Sequence, residues 1–68
     1  MQLIPVQSTT IQAVGYENGL LVIAFHSGES YSYQGVSELV YHAFITAPSI
    51  GSFYVRSIKG KYPAVRIS

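Results

Sequence analysis

The dipeptide Asn18-Gly19 is the feature that most limits the folds open to this chain. Both central residues of a two-residue type I′ turn need a positive φ, which asparagine and glycine adopt more readily than other residues. Residues 9–16 before it alternate with a period of two, and residues 19–26 after it form an apolar run. The sequence therefore predicts an antiparallel β-hairpin with its turn at Asn18-Gly19.

The second strand of this hairpin, residues 19–26, is apolar on both faces. One face would carry Leu21, Ile23 and Phe25, and the other would carry Leu20, Val22 and Ala24. We therefore expect a central strand that is covered on both sides. Helices would cover one face, and a second copy of the chain would supply the layer on the other face.

A turn at residues 26–29 leads to a third predicted strand, residues 30–33. Tyr31 and Tyr33 share one face of this strand because successive side chains point to opposite faces. Short hairpins alone connect the strands, so they form an antiparallel meander in chain order.

Two serines mark the starts of two helices after the meander. Ser37 and Ser49 are good N-caps, since a serine hydroxyl accepts a hydrogen bond from a free backbone N–H group of the first turn. The first helix would end at Pro48 and the second at Gly60. The first would bury the stripe Leu39, Val40, Ala43, Phe44 and Ala47, and the second the stripe Ile50, Phe53, Tyr54, Ser57 and Ile58. Gly51 indicates either a close approach of two backbones or a local bend.

The C-terminal segment, residues 62–67, contains Pro63 and alternates weakly. Proline limits this segment to an edge strand or an extended arm, and we expect the arm. Residues 1–68 would then form a single α+β domain, because a chain of this length has no material for a second core. The predicted architecture is a three-stranded antiparallel meander followed by two short α-helices and an extended C-terminal arm.

The composition favours association between copies of the chain. The apolar share is 49% and the charged share 10%, against about 25% charged residues in an ordinary soluble domain. A small domain of this composition would expose contiguous apolar area, so we predict a homo-oligomer. Alternatively, the six tyrosines raise the apolar share while their hydroxyls stay in water. The absence of cysteine excludes a disulfide framework, a thiolate nucleophile and a cysteine-based zinc site.

Residues 1–5 lack the positive start and long apolar run of a signal peptide, so we expect a cytoplasmic protein. The longest apolar stretch, Leu20–Phe25, is far shorter than the roughly 20 residues of a membrane-spanning helix. We therefore expect no insertion into a membrane.

The charged residues separate along the chain. The three acids, Glu17, Glu29 and Glu38, all precede the four cations, which are Arg56, Lys59, Lys61 and Arg66. We therefore expect an anionic partner to bind at the C-terminal segment, although a net charge of +1 is low for a dedicated DNA-binding protein. These cations could neutralise phosphates. Alternatively, they form a solvated helix end that complements the helix dipole.

Four tyrosines are candidates for stacking on the bases of a nucleic acid, namely Tyr31, Tyr33, Tyr54 and Tyr62. Tyr31 and Tyr33 would form a platform on the third strand, and Tyr62 would stack beside the basic helix end. The alternative for the strand pair is packing against a helix, with the hydroxyls at the rim.

The two histidines give no indication of catalysis or of a metal. His26 and His42 are far apart in sequence and have no cysteine or aspartate beside them, so we expect neither a metal site nor another cofactor. A lone histidine also lacks a positioned nucleophile and an orienting carboxylate, so we expect no catalytic residues.

Three local patterns, in this order, resemble the KTSC domain, which is named for its occurrence at the C-terminus of some lysyl-tRNA synthetases. They are Val14-Gly15-Tyr16, then Tyr31-Ser32-Tyr33 with Gly35-Val36, and then residues 47–54 leading to Ile58-Lys59 and Tyr62. The chain departs from the family at Ser37, where proline is frequent, and at Val55, where a polar residue is common. Attachment to a tRNA-charging enzyme implies RNA as a partner of the family, by association rather than by mechanism.

Three functions remain open at this point, and none of them is enzymatic. The first is binding of RNA or single-stranded nucleic acid through the basic helix end and the tyrosines. The second is an oligomeric binder that sequesters a nucleotide-like small ligand, as a phage protein could. The third is a protein-interaction or assembly module that uses the excess apolar surface.

Overall fold

The computed structural model describes residues 1–68 and shows a five-stranded antiparallel sheet with helices packed on one face. The strands are β1 (Ile4–Pro5), β2 (Ile11–Glu17), β3 (Leu20–Phe25), β4 (Ser30–Tyr33) and β5 (Ala64–Arg66), and they lie in chain order across the sheet. The helices are α1 (Glu38–Ile45) and α2 (Ile50–Phe53), and α2 continues directly into a π-helical turn, Tyr54–Ile58. Neither helix has the length and hydrophobicity that a membrane-spanning helix needs.

The predicted hairpin and meander are confirmed. Asn18 has a φ of 52° and Gly19 a φ of 83°, as a type I′ turn requires. The turn sets Glu17 opposite Leu20 and fixes the register of β2 against β3. β4 pairs antiparallel with the other side of β3, so the strand predicted to be central has a neighbour on each edge.

The sheet has two more strands than the sequence predicted. β5 pairs with β4, with Val65 opposite Ser32, so the C-terminal segment is an edge strand and not the expected arm. Pro63 does not prevent this pairing because it precedes the strand, and its carbonyl accepts a hydrogen bond from the Gln34 N–H group at 3.1 Å. β1 adds the opposite edge, with Ile4 opposite Val14.

The core lies between the sheet and the helices. Its eight members are each at most 3% exposed: Ile11, Val14, Leu21, Ile23, Tyr33, Val36, Phe44 and Ile58. Half of these side chains come from β2 and β3, whose helix-facing positions meet one residue from each helical segment, Phe44 and Ile58. The two central strands and the two helices are thereby fixed against each other.

The predicted start of α1 is confirmed, but its buried stripe lies one residue further along the chain. The Ser37 hydroxyl accepts a hydrogen bond from the Val40 N–H group at 3.2 Å. Leu39 is 82% exposed and Ala43 is also exposed, whereas Tyr41 packs against the core.

This shift is caused by an aromatic contact with a residue outside the helix. The ring of Tyr41 stacks on the ring of Tyr16 from β2, with centroids 4.6 Å apart and planes 11° apart. Burying a tyrosine ring removes more apolar surface from water than burying an alanine does. The stripe Val40, Tyr41, Phe44 and Ile45 therefore faces the core.

The second helix begins and ends as predicted, and its predicted stripe faces inward. The Ser49 hydroxyl accepts a hydrogen bond from the Ser52 N–H group at 3.3 Å, and Gly60 follows the last turn with a φ of 74°. After Phe53 the helix widens, because the Lys59 N–H group donates to the Tyr54 carbonyl, five residues back, at 2.8 Å.

The face of the sheet opposite the helices has no second layer within one chain. Its centre is nevertheless protected, with Val22 only 9% exposed and Gly15 buried. Part of this cover comes from the N-terminus, since a Cβ on Gly15 would lie 2.7 Å from Leu3 Cδ2 and 3.0 Å from Met1 Sδ. The cover expected on the second face is thus supplied in part by the chain itself.

Candidate ligand-binding groove

A depression of about 480 Å³ opens between the sheet and the π-helical turn. We call it the aromatic depression. Its lining residues are Thr10, Phe25, Glu29, Tyr31, Tyr33, Gly51, Tyr54, Val55, Lys59, Gly60 and Ala64. The sheet contributes one wall and the helical segment the other, so the depression exists only where the two layers meet.

Four aromatic side chains hold one another in place in this depression. Tyr54 meets Phe25 edge to face, with centroids 5.4 Å apart, and meets Tyr33 in the same way at 6.0 Å. Tyr31 lies edge to face with Phe25 at 6.2 Å. Such perpendicular contacts are the favoured geometry for aromatic pairs. The apolar wall is therefore formed before any ligand arrives.

A pair of hydroxyls joins the two walls. The Tyr33 and Tyr54 hydroxyl oxygens lie 2.7 Å apart and share a hydrogen bond. Burial, together with this hydrogen bond, raises the pKa of Tyr33 well above the usual range of a tyrosine. The Tyr33 hydroxyl consequently stays protonated, and Tyr33, at 3% exposure, belongs to the core.

Glu29 is the acidic residue that lines the aromatic depression. The Ser27 hydroxyl donates a hydrogen bond to one of its carboxylate oxygens, Oε1. This hydrogen bond, supported by the positive charge of Arg66, lowers the pKa of the Glu29 carboxyl. The group is therefore ionised at neutral pH and acts as a hydrogen-bond acceptor.

The π-helical turn places a cation on the same depression. In an α-helix the hydrogen-bonded residues are four apart, whereas here Lys59 bonds to Tyr54 across five. Tyr54 and Lys59 consequently lie one above the other and both line the depression. The same spacing brings Val55 and Gly60 to it.

A second depression, of about 540 Å³ and more open, adjoins the first. We call it the hydroxyl depression because four of its lining side chains carry hydroxyls. Its lining residues are Thr9, Thr10, Ser49, Gly51, Ser52, Val55 and Arg56. Thr10, Gly51 and Val55 line both depressions, so the two form one continuous groove.

Arg56 is the charged residue of the hydroxyl depression. Its Nε donates a hydrogen bond to the Ser52 carbonyl at 3.4 Å. This contact holds the side chain back along the helix toward Ser52, which also lines the hydroxyl depression. The two Nη groups have no partner within the chain, and they retain their donors for a ligand.

Gly51 does not mark a close approach of two backbones. A Cβ at this position would be in ordinary contact with side chains, 3.7 Å from Ser8 Oγ and 3.8 Å from Thr10 Oγ1. The prediction of a backbone contact was therefore wrong. Gly51 instead lies where the two depressions join, and its lack of a side chain keeps the passage between them open.

Comparison with solved structures shows where this architecture occurs. A crystal structure of a KTSC domain protein from Yersinia pestis matches with 38% sequence identity and a TM-score of 0.92, covering 98% of this chain and 97% of that chain. The sequence profile of the KTSC domain matches residues 7–62. The chain belongs to the KTSC domain family. The resemblance inferred from the sequence is thus confirmed, while no curated protein matches the chain.

The matched region of this KTSC domain contains almost the whole groove. Residues 7–62 include every residue that lines either depression except Ala64. The groove is therefore formed by the part of the chain that matches the family.

The KTSC fold brings together five of the eight binding residues predicted from the sequence. Tyr31, Tyr33, Tyr54 and Lys59 line the aromatic depression, and Arg56 lines the hydroxyl depression. Of these, Tyr33 has no free ring face for stacking, because it is buried between sheet and helix.

The other three predicted residues lie outside the groove. Lys61 is exposed in the turn that follows the helical segment, and Tyr62 packs against the core. Arg66 lies on β5 opposite Tyr31 and donates a hydrogen bond to the Ser68 carbonyl at 3.1 Å.

Sequence reasoning missed the groove residues that come from the sheet and its turns, which are Thr9, Thr10, Phe25, Glu29 and Ala64. Phe25 was placed on the same face as Leu21 and Ile23, but its position at the strand end, where the core stops, was not recognised. No local pattern marks Thr10 or Glu29. Each precedes a strand, β2 and β4 respectively, and reaches the groove only because the helical segment crosses there.

Proposed function

We propose that this KTSC domain is a non-enzymatic binding domain that holds a small nucleotide-like anion in the groove. The observation that carries the proposal is the aromatic depression, in which four aromatic side chains stand beside the cation of Lys59. Its volume of about 480 Å³ is within the roughly 300–1,000 Å³ of small-ligand sites. An apolar, aromatic wall with a few charged groups is the usual make-up of such sites.

The shape of the groove favours a single nucleotide over an extended strand. A stacking platform for nucleic acid needs exposed ring faces along a path, and Tyr33 is only 3% exposed. The cations Lys61 and Arg66 also lie away from the groove, so they do not continue its charge. A short ligand can contact both the apolar recess and the two nearby cations, Lys59 and Arg56.

Binding rather than catalysis is proposed because no histidine is paired with a nucleophilic side chain in the groove. His26 lines neither depression, and its Nε2 is hydrogen-bonded to the Ser8 carbonyl at 2.9 Å. The groove hydroxyls therefore have no histidine within reach to accept a proton.

Thermal unfolding with added mononucleotides tests the proposal. A ligand present at 100 times its Kd stabilises the folded state by about 2.7 kcal/mol, which raises the Tm of so small a domain by roughly 10–20 °C. Val55→Trp should remove this effect, since Val55 is 60% exposed and lines both depressions. The matched control is Leu39→Trp on α1, an exposed helical position outside the groove. Equal shifts in both variants would contradict binding in the groove.

Binding of RNA or single-stranded nucleic acid is the second candidate, and the free cations favour it. Arg56, Lys59 and Lys61 are all exposed, and none forms an ion pair within the chain. If they contact phosphates, affinity for a single-stranded RNA should fall steeply with salt, and changing all three to alanine should abolish it. Unchanged binding by the triple variant would exclude this candidate.

A homo-oligomer is proposed from the apolar surface that the single chain leaves exposed. Met1, Leu3, Val65 and Ile67 are each between 38% and 55% exposed. Val65 pairs with Ser32 and so lies on the sheet face without helices, as Leu3 does above Gly15. A second copy could cover this face. Native mass spectrometry measures the subunit number directly, and a monomer at micromolar concentration would contradict the proposal.

A further inference from the structure

The two depressions of the groove carry charges of different sign. The aromatic depression contains one carboxylate, Glu29, together with the ammonium group of Lys59. The hydroxyl depression contains the guanidinium group of Arg56 and no acid. The first is therefore close to neutral, while the second carries one uncompensated positive charge.

This difference decides which end of an anionic ligand lies where. Glu29 is ionised, as its lowered pKa indicates, and a carboxylate repels a phosphate in the same depression. Arg56 presents two Nη groups without partners, in the fork geometry that suits phosphate oxygens. The hydroxyls of Thr9 and Thr10 form no hydrogen bond within the chain, so they remain available as further donors.

The carboxylate of Glu29 also selects the ring. The carboxylate accepts hydrogen bonds from the Ser27 hydroxyl, at Oε1, and from its own backbone N–H group, which leaves it with further acceptor capacity. A carboxylate beside aromatic side chains can therefore accept a hydrogen bond from a ring N–H group. A ring with only acceptors at its edge would displace water from this carboxylate without replacing the lost hydrogen bonds, which costs binding free energy.

We infer that the groove binds a nucleoside monophosphate whose base carries a ring N–H group, as guanine does, in one orientation, with that group at Glu29 and the phosphate at Arg56. This inference rests on the proposed function of the groove. Thr10, Gly51 and Val55 lie where the two depressions join, and the sugar crosses there. Gly51 is a specificity position in this arrangement, because a side chain there would stand between ring and phosphate.

The test compares guanosine and guanosine monophosphate (GMP) by calorimetry, with wild type and the four variants Arg56→Gln, Lys59→Gln, Glu29→Gln and Lys61→Gln. Arg56→Gln should weaken the binding of GMP about tenfold or more, as expected for the loss of a charge-assisted contact, and that of guanosine less than about twofold. Glu29→Gln should weaken the binding of guanosine and of GMP by the same factor, since it acts on the ring. Lys61→Gln, which changes a cation outside the groove, should change neither affinity.

Each outcome separates this inference from the proposed function. If neither compound binds the wild-type protein, the proposed function fails and the inference with it. If both bind but Arg56→Gln lowers their affinities equally, the groove binds the ring and the phosphate assignment is wrong. If Lys59→Gln, and not Arg56→Gln, lowers the affinity for GMP alone, the ligand lies in the opposite orientation and the inference is overturned.

Discussion

Replacing Tyr54 by phenylalanine would leave the hydroxyl of Tyr33 without its hydrogen-bond partner. The two oxygens lie 2.7 Å apart, and Tyr33 is only 3% exposed, so water does not replace the lost partner easily. A buried polar group left unsatisfied costs about 1–3 kcal/mol. We expect Tyr54→Phe to lower the free energy of unfolding by about this amount.

Replacing the other tyrosine of the pair, Tyr33, by phenylalanine should lower the free energy of unfolding less. Tyr54 is half-buried and lines the aromatic depression, so after Tyr33→Phe its hydroxyl can turn toward water. We expect a loss of about 0.5–1.5 kcal/mol for this variant, the usual net contribution of one hydrogen bond. The double variant removes both hydroxyls, and its cost should be smaller than the sum of the single costs by about 1 kcal/mol.

Urea unfolding followed by circular dichroism measures these differences. A domain of this size unfolds with a slope of about 1 kcal/mol per molar urea, so Tyr54→Phe should lower the midpoint by about 1 M or more. The slopes should stay unchanged, because no variant alters the surface exposed on unfolding. Additive costs in the double variant would refute the reasoning, since they would show that the two hydroxyls do not stabilise each other.

Three further predictions concern stability. Because burial raises the pKa of Tyr33, the folded state keeps a proton that the unfolded state loses at alkaline pH, so the stability from this group is full below about pH 10 and falls above it. Tyr33→Phe should make the alkaline fall in stability shallower in urea titrations. An unchanged fall would show that Tyr33 is not the group responsible. Phe44→Ala removes a fully buried ring and should lower the free energy of unfolding by about 3–5 kcal/mol. Leu39→Ala, at an 82% exposed position, should change it by less than about 0.5 kcal/mol. Similar urea midpoints for the two variants would show that the helix faces are misassigned. Gly19→Ala forces alanine to a φ of 83° and should cost about 1–2 kcal/mol, and a neutral result in the same assay would mean that the turn readily changes type.

The sequence predicted the elements whose signals are local. The turn at Asn18-Gly19 needs a conformation that few residue pairs adopt, and it fixes the meander around β3. The second helix was predicted with its cap, its buried stripe and its end, because Ser49 and Gly60 bracket a single consistent period.

The elements that it missed depend on partners distant in sequence. β1 has only two residues and β5 only three, so neither carries a periodic pattern. Each exists because its neighbour, β2 for β1 and β4 for β5, offers it unpaired hydrogen-bonding groups. For α1, two stripes of equal spacing were compatible with the residues, and only the stacking of Tyr41 on Tyr16 distinguishes them. The groove combines Thr10 and Glu29 with the helical segment in the same non-local way, so its cations and tyrosines were predicted while its acid was not.

The π-helical turn also determines where the length of this chain can vary. Because the Lys59 N–H group bonds to a carbonyl five residues back, the turn holds one residue more than an α-helical turn does. Deleting one residue between Tyr54 and Lys59 would close an ordinary α-helical turn, with those two residues still one above the other. Val55 and Arg56 are both exposed there. Related chains that are one residue shorter at this point could thus keep the fold and the aromatic depression while losing the guanidinium group, so a one-residue deletion would change the charge of the groove without changing the architecture.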